Sequence, residues 1–378
     1  MRMEFLSYFN LILFSKGENI AMKILLYADT HFSLNSSILL GSTDSLQGRL
    51  EHLVNSFRWM YELAKEKRVD LIVDLGDLVD SSKLSATEIT AVSEALSFNK
   101  DIPELHILGN HERQSENGRI NSINFINLMN NHRLIVEPEQ IDNRYSFIPY
   151  QNYKDGDLDE LPNTEYAFTH IDIKGFLLGG TWTLKTGLTP DYLMSKYDYI
   201  VNGHLHTGGY VVNNLYKTIL NLGSISGQNF SSKGNPRIGI LDSESRDMKF
   251  IDNPYGIRFD SVVCNTLSEV IELNKSIVNS DNNFCIQIKV PIHLVEDTSK
   301  ILESNNKILA KKIKIDSEKV VISENLEDSL TESIERVSGK EEGFNKLREF
   351  LENKNKLPYK LESILPVVNE LERMNLNG

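Results

Sequence analysis

Two cysteines in 378 residues leave no disulfide framework to hold the chain together, so its fold must rest on a buried core. Cys264 and Cys285 fall in the apolar runs FDSVVC and NFCIQIKV, where they are expected as buried, inert thiols of a reducing, cytoplasmic compartment. A membrane segment is missing too. The apolar stretch LILF within FLSYFNLILFSKG is too short to span a bilayer and lacks both a basic n-region and a small-residue cleavage site. Positive charge is also scarce, with 40 Lys and Arg against 53 Asp and Glu and a net charge of -13. Bulk repulsion disfavours unaided binding to a phosphate backbone, so any nucleic-acid surface must be local or supplied by a partner. What remains is an ordinary soluble composition, 40% hydrophobic and 25% charged, long enough for a large core and two domains.

Against this background five short islands stand out, in fixed order: Asp29-Thr30-His31 in YADTH, Gly76-Asp77 in DLGDLVD, Asn110-His111 in LGNHE, His170 in FTHID, and His204-Leu205-His206 in NGHLH. Each follows an apolar, β-rich run (KILLYA, DLIVDL, ELHIL, EYAF, YDYIV), which sets it where a strand ends and a loop begins. Any one island alone is a weak signal. Together they supply carboxylate, imidazole and amide donors, the set that a pair of divalent cations bridged by water requires. Such mixed donors suit Mn2+, Fe2+ or Zn2+ better than Mg2+, which prefers oxygen ligands, and Mn2+ is the expected metal. Two cations together acidify a water and stabilise the charge of an in-line displacement at phosphorus.

The ordered set resembles the calcineurin-like metallophosphoesterase superfamily, whose pattern is D-x-H, G-D, G-N-H, a lone H, and G-H-x-H. Position by position, the resemblance implies that Asp29, His31 and His206 bind one metal, that Asn110, His170 and His204 bind the other, and that Asp77 bridges them. His111 matches the family's transition-state or leaving-group histidine. The implied fold is α/β: a four-layer sandwich of two mixed sheets flanked by helices, with the metals at one edge. Asp80 stands where some relatives carry His, and either orients His111 or caps a loop.

Helices are expected over 47–66, 85–97 and 121–131, with Ser85 and Asn121 as N-caps. Leu50, Leu53, Val54, Phe57, Met60, Tyr61 and Ala64 form a core stripe on the first. After Asp172 short strands broken by Gly, Asn and Ser point to a second sheet. Met22 opens the first strand and is the expected native start, with residues 1–21 as an extension; Lys16-Gly17-Glu18 could be encoded by a ribosome-binding sequence. A metallophosphoesterase domain is expected over 22–259, a small α/β cap over 260–325 and a helical segment over 326–378. In the cap, strands at 259–264, 284–290 and 319–323 alternate with helices at 267–279 and 294–305; the tail carries amphipathic segments at 342–352 and 359–374.

That layout looks like the SbcD nucleases and their relatives in the meiotic-recombination repair family, and GDLVDSSKLSATEITAVSEAL resembles the SbcD segment after the Gly-Asp motif. The resemblance implies an Mn2+-dependent duplex exonuclease working 3′ to 5′, with endonuclease action on single strands, in DNA repair and recombination. It also implies an SbcC-type coiled-coil ATPase docked on the tail helices, and a possible homodimer. Three rivals stay in view. A Ser/Thr phosphoprotein phosphatase would share Glu112 of GNHE, but it carries Arg where this chain has Ser81 and lacks the second histidine supplied by His206. A cyclic-nucleotide phosphodiesterase shares G-H-x-H without needing the C-terminal extension. An inactive scaffold for a partner ATPase would not need every ligand intact. His52, His106, His132 and His293 are expected to be structural or surface residues, with His106 also placed to pack behind the site. Arg113, Arg119, Lys185, Lys233 and the cluster Lys311, Lys312 and Lys314 are read first as solvated surface charge.

Overall fold

Strands that feed the five motifs are short and buried on both faces, as parallel strands between covering layers must be. In the computed structural model, which describes residues 21–34, 45–141, 143–178, 182–214, 216–230 and 234–315, they form two six-stranded mixed sheets. The first contains β1 (Lys23–Tyr27), β2 (Leu71–Asp74), β3 (Glu104–Ile107) and β4 (His132–Ile135) in parallel. β13 (Arg237–Asp242) and β14 (Asp247–Asp252) extend it antiparallel beyond β1. The second runs in the order β11-β12-β10-β7-β6-β5, from β5 (Glu139–Ile141), β6 (Tyr145–Ile148), β7 (Thr164–Thr169), β10 (Tyr197–Asn202), β11 (Gly209–Asn213) and β12 (Thr218–Asn221). A two-stranded ribbon, β8 (Leu177–Leu178) and β9 (Trp182–Thr183), stands apart.

The sheets pack face to face through alternate residues: Leu26, Val73, Leu105 and Ile107 from one side meet Phe147, Phe168, Val201 and Leu220 from the other. The opposite face of the first sheet is covered by α1 (Ser45–Glu66) and α2 (Ala86–Ser97). The apolar stripe on α1 is core, with Phe57, Met60 and Ala64 fully buried. Ser85 caps α2, accepting from Glu88 N at 3.2 Å in a reciprocal capping box. The second sheet's outer face packs on α3 (Pro190–Lys196) and its flanking loops. The layers are therefore helix, sheet, sheet, helix, the α/β sandwich expected.

Residues 121–131 do not form the expected helix; only Asn124–Leu128 turns, as one 3-10 segment. Side-chain amides compete with the backbone here: Asn121 Oδ1 accepts from Ile123 N at 3.2 Å, and Asn127 Oδ1 accepts from Leu134 N at 3.0 Å. His132, directly after the expected helix, is the first residue of β4 and is 1% exposed.

After residue 256 a separate three-stranded parallel sheet forms from β15 (Ile257–Val263), β16 (Asn283–Val290) and β17 (Ile308–Ile315), joined by α4 (Leu267–Val278) and α5 (Val295–Glu303). Its third strand is 308–315. The expected strand at 319–323 and the two tail segments lie outside the described residues, as do residues 1–20 and Lys233. Ile308 and Ile313 pack into the core of this unit while Lys312 and Lys314 stay exposed, which shields an edge strand from pairing. Both cysteines are free and buried, and burial pushes the Cys285 thiol up to about 12.

Candidate metal centre at the sheet edge

All five motifs leave the C-terminal ends of parallel strands on one edge of the sandwich. Asp29 and His31 follow β1, Asp77 follows β2, Asn110 follows β3, His170 follows β7, and His204 and His206 follow β10. The backbone there bends sharply. Asp29, His31, Asp77 and His204 all have positive φ (52°, 52°, 56° and 70°), and they are four of the eight non-glycine residues in that region among those described. Strain of this kind persists only where the surroundings hold it, and it gathers at functional sites. Asp29 N donates to Gly76 O at 3.0 Å and His31 N to Asp77 O at 2.9 Å, so the first two loops brace each other.

Glycine is needed at two of these turns. Gly76 has φ +98° and packs so closely on His170 that a Cβ would lie 2.4 Å from Nδ1. A Cβ on Gly109 would meet Asp77 Oδ1 at 2.2 Å.

The imidazoles are held from behind. His170 Nδ1 donates to Leu75 O at 2.6 Å, leaving Nε2 to face Asn110 Oδ1 at 3.1 Å and Asp77 Oδ2 at 3.3 Å. His204 Nε2 lies 2.8 Å from Asp172 Oδ1, so its Nδ1 faces Asn110 Oδ1 at 3.0 Å. His31 Nδ1 lies 3.1 Å from Asp80 Oδ1, and its Nε2 faces His206 Nε2 at 3.0 Å. An outer hydrogen bond on one ring nitrogen fixes the tautomer and aims the other nitrogen inward, which is how histidines that bind metals are held.

The donor set fits a cation pair. Asp29 Oδ2 is buried with no hydrogen-bond partner among the described residues. Inward atoms of Asp29, His31 and His206 converge within 4.8 Å, and so do those of Asp77, His170 and His204. Atoms bound at about 2.1 Å to one ion and a right angle apart would be about 3.0 Å from each other, close to the spacings seen here. The electrostatics agree. Burial raises the Asp29 carboxyl to about 6. Burial also opposes charge on Asp77, but the neighbouring His170 and His31 outweigh it and hold its carboxyl well below the usual range. His170 is raised to about 9 by Asp77 and Asp29 despite its burial. Buried carboxylates and imidazoles thus sustain one another's charge here, a role that a bound cation can take over from the ring protons.

His111 lies beside these donors. Its backbone N–H donates to Asp77 Oδ1 at 3.0 Å, its Nδ1 lies 3.1 Å from both Asp80 O and Asp80 Oδ1, and its side chain is 37% exposed. The Asp80 hydrogen bond raises its imidazole to about 9, against burial. Asp80 is therefore shared between His31 and His111.

Two residues, and the role of a third, escaped the sequence reading. Asp172 behind His204 lies two residues after a motif histidine, a spacing that was visible. Tyr150, whose ring centroid is 5.4 Å from that of His204, carried no signal. Glu112 proves to be a clamp: its carboxylate accepts from Gly109 N at 3.0 Å and Val79 N at 3.1 Å, tying the third motif loop to the second. Burial and Asp77 raise it to about 8. Of the basic candidates, Arg113 turns its guanidinium to Tyr150 O at 2.9 Å, while Arg119 pairs with Glu137 at 3.0 Å on the surface.

Residues 22–208 match the family described as calcineurin-like phosphoesterase. Over 112 residues the chain is 31% identical to a protein of Arabidopsis thaliana named "Probable inactive purple acid phosphatase 28", an alignment covering 28% of this chain and 27% of that one. The chain thus spans about a quarter of that relative's length. Among solved structures it is similar to a dimetal phosphatase from Danio rerio, at 13% identity and a TM-score of 0.37, covering 62% of this chain and 97% of the other. It is also similar to the Pseudomonas putida nuclease MPE, at 14% identity and a TM-score of 0.31, with 57% and 84% covered.

Proposed function

We propose, on the footing that residues 22–208 match the calcineurin-like phosphoesterase family, that the chain hydrolyses phosphodiesters in DNA as an Mn2+-dependent, SbcD-like nuclease. It would act 3′ to 5′ on duplexes and as an endonuclease on single strands, in repair and recombination. The observation that carries the metal-dependent hydrolase is the convergence of the inward donors on one edge, with His31, His170 and His204 anchored from behind. Asp29, His31 and His206 would hold one cation, Asn110, His170 and His204 the other, and Asp77 both. Bound there, the pair supplies an acidified water and charge stabilisation at phosphorus.

The chain's own residues do the rest. Asp80 holds His111 at Nδ1, which leaves Nε2 free to donate to the departing 3′ oxygen, so that hydrolysis releases 5′ mononucleotides. Three features favour a nucleic-acid diester over a phosphoprotein. Glu112, the GNHE residue shared with phosphatases, is used as a loop clamp. Ser81 stands where a phosphatase would place Arg. Tyr150, with its ring beside His204 and the Arg113 guanidinium 5.5 Å over it, offers an aromatic and cationic wall for a nucleotide, next to a cavity of about 560 Å3 lined by Arg113, Glu116, Gln151, Asn152, Tyr153 and Asp157.

Partner and compartment are part of the same proposal. An SbcC-type ATPase would dock on the tail segments at 342–352 and 359–374, both outside the described residues, and a homodimer fits the same reading. No helix among the described residues is long and apolar enough to cross a membrane; a cytoplasmic setting follows from the DNA substrate we propose.

A substrate panel tests the reading: bis-p-nitrophenyl phosphate, p-nitrophenyl phosphate, a cyclic nucleotide and a phosphoserine peptide, each with Mn2+. The diester should be cleaved at least about tenfold faster than the monoester, a barrier difference of about 1.4 kcal/mol. Turnover of the phosphoserine peptide alone would move the chain to the phosphatase branch.

A further inference from the structure

Away from the metal edge, beneath α1 and α2, the first sheet carries a second group of polar side chains that the proposed reaction does not use. Asp74, Glu104 and His106 are 0% exposed and His132 is 1% exposed. They occupy neighbouring positions on β2, β3 and β4, where the strand register pairs Asp74 with His106 and Glu104 with His132. This face is otherwise apolar, with Ile72 and Leu134 packed against the helices.

The contacts are close. His106 Nε2 lies 3.0 Å from His132 Nδ1 and 3.8 Å from Glu104 Oε1, while His132 Nδ1 lies 3.5 Å from Glu104 Oε2. Behind them, His106 Nδ1 is 3.0 Å from Asp74 Oδ2. Tyr27 and Tyr61 hydroxyls donate to Glu104 at 2.8 and 2.9 Å, and Asn99 Nδ2 donates at 2.8 Å. Among the described residues no Lys or Arg forms an ion pair with Asp74 or Glu104. Two carboxylates are thus buried with only imidazoles as counter-groups, and an uncompensated buried charge costs several kcal/mol.

Ligands bound tetrahedrally at about 2.0–2.1 Å lie about 3.3–3.4 Å apart, so the spacings of 3.0, 3.5 and 3.8 Å bracket the value expected around one ion. Each imidazole nitrogen faces a different oxygen of Glu104, so the carboxylate can chelate and give four donor atoms. Asp74 on the far nitrogen of His106 completes a carboxylate, histidine and metal relay. Two imidazoles and one carboxylate in a dry, closed site suit Zn2+ rather than Mg2+ or Ca2+.

We propose that Glu104, His106 and His132 form a third divalent-cation site of zinc type, enclosed in the core and separate from the centre at the sheet edge. Its three ligands are at most 1% exposed in the folded chain, so the ion is taken up as the chain folds. Its role is to brace. Asp74 joins the site to the turn carrying Asp77, because its Oδ1 accepts from Gly76 N at 3.1 Å.

The test uses the full chain, refolded with ZnCl2 and then exhaustively treated with EDTA. An Asp77→Asn, His204→Asn variant empties the edge centre, and the same variant with His132→Gln empties the core as well. One zinc per chain should survive in the first and none in the second. A zinc-edge anomalous map of crystals of the zinc-refolded, unsubstituted chain should place a peak between Glu104, His106 and His132, and this decides the matter if a variant fails to fold. Absence of that peak, or zinc retained after His132→Gln, would overturn the proposal and leave a network joined by protons alone.

Discussion

Asp172 Oδ1 lies 2.8 Å from His204 Nε2, on the side of the imidazole turned away from Asn110 and His170. The carboxylate is in no position to be a ligand itself, yet it decides which nitrogen of His204 is free to be one. Asp172→Ala should therefore weaken metal retention about 10- to 100-fold while leaving the fold intact. Activity measured against Mn2+ concentration should recover at high metal, and an unchanged metal dependence would show that His204 is oriented by other contacts.

Gly76 and His170 make a second dependence of this kind. Because Gly76 holds φ +98° with its Cα against the imidazole, Gly76→Ala must either unbend the Asp77 turn or push His170 out of line. We expect a loss of stability larger than about 1 kcal/mol, as for alanine at an incompatible positive φ, together with loss of bound metal. Thermal unfolding and metal analysis check both. A stable variant with full metal content would mean that the turn is softer than its packing indicates.

His111→Ala separates leaving-group chemistry from metal binding. With no ligand removed, metal content should be unchanged. Hydrolysis of a DNA diester should fall about 10²- to 10⁴-fold, the usual range for loss of a general acid. A p-nitrophenyl leaving group needs no proton, so its release should suffer much less. Equal losses on both substrates would assign His111 to charge stabilisation at phosphorus instead.

The edge of the sandwich was legible because each motif sits directly behind an apolar run, and strand ends in an α/β sheet share one side. The helix stripe on α1 was legible for the same reason, since its apolar positions recur at helical spacing. The helix over 121–131 was misread because its asparagines mimic a helix end in composition, while Asn121 and Asn127 in fact accept from the backbone N–H groups of Ile123 and Leu134 and Asn131 donates across to Ile102 O. β17 was missed because ILAKKIKI displays its lysines more plainly than its alternation. The polar group around Glu104 was invisible for a deeper reason. Asp74, Glu104, His106 and His132 come from three strands, and only the register brings them together.

The central claim is that these seven donors at the edge serve DNA hydrolysis, and a linear duplex labelled at either 3′ or 5′ end tests it most directly. With Mn2+, the chain should shorten the duplex from its 3′ ends and release 5′ mononucleotides, and EDTA or Asp77→Asn should abolish this. Shortening that persists in EDTA, or an intact duplex beside a rapidly hydrolysed phosphomonoester, would contradict the account.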